Sequence, residues 1–175
     1  MAWLGRARHE RTGFILYGAA VAAARRPFFY AELGVPDTLD GRFDLIGVHV
    51  FLLIRRLGEL PAPGPAVAQA VFDAMFSDMD RNLREIGVGD LSVGRRVKAM
   101  WEAFHGRAAA YQAALAAGDE AALSAALARN VWRGAAPGRQ SAALAGLVLA
   151  QDRALAAQNP AELLTGRVGF AVVPA

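Results

Sequence analysis

The residues with the most obvious chemical promise lie in "GVGDLSVGRRVK", residues 87–98. Gly89 and Gly94 stand five apart and Arg95 follows, the outline of a phosphate-cradling loop. Such a loop needs a strand before it, a Lys that reaches the β- and γ-phosphates, and a Ser or Thr hydroxyl for magnesium. Here Arg95 and Arg96 stand in those places, and a helical pattern precedes the turn. An elbow between two helices explains every residue instead. Gly87 ends one helix, Gly89 permits the reversal, and Asp90 or Ser92 caps the next.

Other chemistry is sparser still. Asp78 and Asp80 form a D-x-D pair. Two residues on a helix are about 200° apart, so these carboxylates cannot share a metal from one face. Asp73 and Asp80 do share a face and read as a solvated acidic stripe. His9, His49 and His105 are scattered, with none spaced from another His or an acid as a ligand motif requires. His49 lies in an apolar helix, where a hydrogen-bonded core imidazole and an axial haem ligand are the two roles open to it. There is no Cys and no G-x-S-x-G, so no nucleophile presents itself. No enzyme activity and no cofactor are expected.

What remains is basic. Arg81 and Arg84 end one helix, Arg95, Arg96 and Lys98 open the next, and Arg55 and Arg56 end a third. A helix C-terminus welcomes cations, but an N-terminus disfavours them by a few tenths of a kcal/mol. Arg95, Arg96 and Lys98 therefore suggest an anionic partner, with a plain exposed face as the alternative. The elbow should bring them beside Arg81 or Arg84.

These residues ride on helices. Residues 10–24 form the first, with Phe14, Tyr17, Val21 and Ala24 on one stripe. A proline-bounded connection follows, and its Phe28, Phe29 and Val35 either offer apolar groups to a partner or plug the end of the bundle. Residues 43–57 are apolar nearly all round, which places that helix in the middle. Phe72, Met75, Phe76, Met79, Leu83 and Ile86 fall at offsets 0, 3, 4, 7, 11 and 14, one face of the next helix. Met75, Phe76 and Met79 suit either a core or a pliable binding groove.

After the elbow, Val93, Val97, Met100, Trp101, Phe104, Ala108, Tyr111 and Leu115 continue the pattern to Gly118. Asp119 caps a helix carrying Leu123, Leu127 and Val131, and residues 139–158 form another. Asn159 and Pro160 open a capped turn ending at Gly166.

Composition agrees with this reading. The chain has 175 residues, 39 of them Ala, and few that favour strands. The fold class expected is all-α: a single domain, residues 1–175, built as a bundle of six to eight helices. Residues 1–12 would be a basic N-terminal arm, and residues 167–175 an extended tail. Of 19 basic residues only Lys98 is not Arg. The first 26 residues carry a net charge of +4, which suits an anionic membrane surface or RNA as well as an ordinary solvated helix. Neither "GFILYGAAVAAA" nor "LIGVHVFLLI" approaches the roughly 20 residues of a spanning helix. Arg25 and Arg26 follow the first run with no polar cleavage region, which argues against a cleaved signal peptide.

The order of segments is itself distinctive. "YGAAVAAARRPFFYAELGVPDTLDGRFDLIGVHVFLLIRRL" and "FDAMFSDMDRNLREIGVGDLSVGRRVKAMWEAFHGR" resemble the ubiquinol–cytochrome c chaperone family, bacterial relatives of the mitochondrial factor that binds newly made cytochrome b. The resemblance runs from Tyr17 to Trp132 and more loosely to "LLTGRVGF". Arg95 replaces a more usual lysine, and the arm is short beside the leader of mitochondrial members. The expectation is a bacterial cytoplasmic protein, peripheral to the inner membrane.

The resemblance implies a non-catalytic assembly factor for ubiquinol–cytochrome c reductase with cytochrome b as its client. A ribosome, an anionic membrane surface or a small protein partner are further expectations, and DNA is not. Partner-binding candidates are Arg81, Arg84, Arg95, Arg96, Lys98, Phe28, Phe29 and Val35. Two other classes stay open: a haem- or small-molecule-binding helical enzyme using His49 or His105, and a general membrane- or ribosome-peripheral adaptor.

Overall fold

The computed structural model describes residues 2–135 and 138–172, apart from the side chains of residues 2–6 and Leu91. Among the described residues there are helices and no strand: α1 (Ala2–Ala24), α2 (Pro27–Ala31), α3 (Leu39–Gly58), α4 (Gly64–Glu85), α5 (Asp90–Ala117), α6 (Glu120–Val131), α7 (Gly138–Ala156) and α8 (Pro160–Leu163). The all-α expectation holds, with α2 and α8 single short turns.

α3 is apolar on nearly every side, so only neighbours all round can stabilise it. α1, α4, α5, α6 and α7 supply them. Thr38 begins α3, its hydroxyl accepting the Gly41 N–H at 3.1 Å. Near its other end Arg55 donates to Asp152 of α7 at 3.0 Å and to Gln112 of α5 at 2.9 Å. Those bonds tie three helices together. α1 crosses α4 closely because Gly13 has no side chain: a Cβ there would lie 2.5 Å from the Ala70 backbone.

The elbow between α4 and α5 forms much as its glycines suggest. Gly87 adopts φ +83°, and the Val88 N–H closes onto the Leu83 carbonyl at 3.0 Å. The N-cap of α5 is Gly89, however, with no side-chain cap from Asp90 or Ser92. The Asp90 carboxylate is taken by Arg84 instead, which also holds Asp80 Oδ2 at 2.7 Å. Farther on, Gly118 takes φ +64°, and the Asp119 carboxylate accepts the Ala122 N–H at 2.9 Å to open α6.

Four expectations need correction. α1 starts at Ala2, earlier than the expected start at residue 10. Phe14 is 50 % exposed, and the inward face of α1 is Leu16, Tyr17, Ala20 and Ala24. Ile86, expected inward, is the C-cap of α4; the helical pattern stops there and the side chain is 60 % exposed. Trp101 is 45 % exposed and lies against the His105 ring, centroids 4.0 Å apart, rather than in the core.

The extended tail finds partners on α7 and in the turn just after it. Gln158 donates to the Gly169 carbonyl at 2.6 Å and accepts its N–H at 2.8 Å. Gln151, two turns earlier, does the same for Ala171, donating at 3.0 Å and accepting at 2.6 Å. Two side-chain amides thus stand in for a neighbouring strand. Phe170, between the two anchored residues, meets His49 edge-on at 5.4 Å. Residues 173–175 lie outside the described part.

Candidate functional site

The sequence candidates divide sharply once they are placed. Phe29 and Val35 are each only 2 % exposed and belong to the core, with Phe28 half-buried beside them. The proline-bounded connection plugs the end of the bundle, because so many apolar groups on one short segment gain more from burial than from water. Phe29 and Val35 therefore have no surface to offer a partner. Met75 and Met79 are buried as well.

Arg81, Arg84, Arg95, Arg96 and Lys98 are all exposed. Arg84 is occupied with Asp80 and Asp90, and Lys98 lies 3.9 Å from Glu102. Arg96 turns away from that outer group and lines a cleft.

This cleft, about 550 Å³, is formed by the C-terminal part of α1, the start of α3, the second half of α4, the first half of α5 and the turn after α6. Its wall is apolar through Phe43, Ile46, Met79, Leu83 and Met100. At its edge stand Leu39 and Ile86, 58 % and 60 % exposed, two large aliphatic side chains left in water. Arg25, Arg42, Arg96, Arg107 and Arg133 border it, against Asp40, Asp44 and Asp78.

Most of these charges are already engaged. The Tyr17 hydroxyl donates to Asp78 Oδ2 at 2.7 Å, and Asn82 donates to the same oxygen at 3.2 Å. Burial, helped by that acidic neighbour, pushes the Tyr17 hydroxyl pKa above its ordinary value. Arg42 donates to Asp37 at 2.5 Å, which holds that exposed carboxyl below its usual range.

Asp44, on α3, is buried. Arg107 of α5 donates to its Oδ1, and Arg133 Nη2 lies 2.9 Å from Oδ2. That second contact is an ion pair without hydrogen-bond alignment, so Oδ2 has no hydrogen-bonded partner. Burial pushes the Asp44 pKa up to about 6 against the pull of both guanidiniums. Arg133 reaches it from a backbone φ of +57°, a conformation non-glycine residues rarely adopt. Trp132 beside it donates from its indole to the Gly34 carbonyl at 3.0 Å, fixing this turn to the α2–α3 connection.

Sequence reasoning missed Asp44, Arg107 and Arg133. A lone acid inside a helix otherwise apolar all round was the available signal, since a buried carboxylate requires a partner from elsewhere in the fold.

His49 is enclosed. Its Nδ1–H donates to the Leu45 carbonyl at 2.9 Å, and Phe29 and Phe170 flank the ring at 5.6 and 5.4 Å. Desolvation lowers its pKa to about 4. No cluster of His, Asp or Glu among the described residues has the makings of a metal site. The cleft offers apolar area and cations, the chemistry of holding a partner.

That build is a helical bundle with an arginine-edged cleft. The family model described as ubiquinol-cytochrome C chaperone matches residues 31–170, and the chain belongs to that family. It is 23 % identical over 103 residues to ubiquinol-cytochrome-c reductase complex assembly factor 1 of Xenopus laevis. The match covers 59 % of this chain and 51 % of the frog protein, so the chain spans about half the length of that relative. The crystal structure of the Cbp3 homolog from Brucella abortus superposes with a TM-score of 0.85 at 36 % identity, covering 94 % of this chain and 91 % of that one.

Proposed function

We propose that this protein is a non-catalytic assembly factor for ubiquinol–cytochrome c reductase, and that it holds newly made cytochrome b in the arginine-edged cleft. Family membership and the name of the frog relative support the first part. One observation carries the second: Leu39 and Ile86 stand exposed at the edge of an apolar wall ringed by arginine. A membrane-protein client needs its apolar segments shielded before insertion, and an exposed apolar patch with a polar rim is the surface that does so.

The test is capture of cytochrome b from the native organism by tagged protein. Ile86→Asp should abolish capture while leaving the helical circular dichroism spectrum intact. A deletion strain should lose assembled ubiquinol–cytochrome c reductase and keep its other respiratory complexes. Normal cytochrome b levels in that strain would sink the reading.

A second surface favours peripheral attachment to the inner membrane or to a ribosome. Arg95, Lys98 and Trp101 are exposed at three-residue spacing on the outer side of α5. Cations beside an exposed indole suit an anionic interface. No described helix is long and apolar enough to cross a membrane.

A further inference from the structure

Within the cleft the engaged charges leave a remainder. Asp78 is held by Tyr17 and Asn82, Asp44 by Arg107 and Arg133, and Arg42 by Asp37. Arg25 and Arg96 line the same cleft with no ion-pair partner among the described residues. Helix electrostatics do not explain Arg96, which sits in the second turn of α5, toward the end where the dipole disfavours a cation. Both lie in a concave site with apolar walls, where a charge is felt more strongly than on open surface.

We infer that the cleft recognises an apolar helical segment bearing one carboxylate, with Leu39 and Ile86 taking the apolar face and Arg25 and Arg96 receiving the acid. The inference rests on the cleft being the client site and says what the client must present there. The cations argue for an acid in the occupant, because a purely apolar segment would strip water from two guanidiniums without replacing their hydrogen bonds. A guanidinium grips a carboxylate through two parallel bonds, so the contact carries orientation as well as charge. Met100, half-buried in the wall, adapts to varied side chains, so the apolar face need not be unique. The acid would set the register of the bound segment.

A pair of fluorescent Leu/Ala-rich helical peptides tests this, each flanked by neutral Gly/Ser ends and differing only in a central Glu or Gln. Binding to the full chain is read by anisotropy. The Glu peptide should bind about tenfold more tightly, the effect of one well-formed charge-assisted contact. That advantage should shrink as salt rises. Arg25→Gln and Arg96→Gln together should abolish the difference by weakening the Glu peptide.

Ile86→Asp should weaken both peptides. If it weakens neither, the cleft is not the site, and the reading beneath this inference falls with it. Weakening of both peptides together with equal wild-type affinities would instead overturn only the carboxylate preference, as would a preference that survives the double arginine variant. Failure of the Glu peptide to bind would overturn the inference. So would displacement of the Glu peptide by sodium oleate at matching affinity, which would reassign the cleft to a small carboxylate amphiphile.

Discussion

Two buried titratable groups on one helix pull stability in opposite directions. His49 has a folded pKa of about 4 against an ordinary 6.5, so between those values the unfolded chain takes up a proton that the folded chain refuses. The stability its neutral form contributes is complete above about pH 6.5 and falls by roughly 3 kcal/mol by pH 4. Asp44 does the reverse. Its folded pKa of about 6 exceeds the ordinary 3.8, so the folded state keeps a proton the unfolded state releases, and its contribution worsens as pH rises from about 4 to 6. Urea midpoints from pH 4 to 7 should show each effect only when the other is removed. His49→Gln should gain on the wild type as pH falls, and Asp44→Asn should gain on it as pH rises toward 6. Parallel midpoint curves for both variants and the wild type would contradict the assignment. Haem coordination lost in His49→Gln would contradict the structural role given to that ring.

At the scale of the helix, the glycines separate close contact from mere propensity. Gly13→Ala would push a methyl group into the Ala70 backbone and should cost about 1–3 kcal/mol by prying α1 from α4. Gly106, also helical, has open space where a methyl group would stand, with nothing within 4 Å, and Gly106→Ala should instead stabilise by up to about 1 kcal/mol. Chemical denaturation of the two variants should move in opposite directions. The fold is most legible in the sequence where the cause is local. The all-round apolarity of α3, the stop at Gly118, the Asp119 cap and the Asn159–Pro160 turn all depend on residues a few positions apart. It is least legible where burial depends on a distant element. Helical periodicity gives the phase of a stripe, but not how far a neighbour covers it, so Phe14, Trp101 and Ile86 read as inward when they are not. The cleft is hidden for the same reason: Arg107 and Arg133 meet Asp44 across separations no periodicity records.

For the molecule as a whole, charge divides between an inner and an outer group. Arg95 and Lys98 lie on the outer side of α5, away from the cleft that Arg96 lines. Reversing both to Glu should leave stability within about 0.5 kcal/mol, as exposed substitutions do. It should weaken sedimentation with anionic vesicles or ribosomes at low salt, and leave the peptide preference of the cleft intact. Loss of cleft binding in that variant would show that the two surfaces are not separate.

The glutamine-held segment has a consequence for the order in which the core closes during synthesis. His49 is packed between Phe29, made before it, and Phe170, made more than a hundred residues after it. Until Phe170 has left the ribosome, the imidazole lacks one of its two covers, and its proton affinity should be closer to that of a histidine in water. A chain ended after Arg167 imitates that stage. Its His49 ring, followed by NMR, should titrate above the value of about 4 and toward 6.5. Phe170 would then serve as the seal on a core laid down more than a hundred residues earlier.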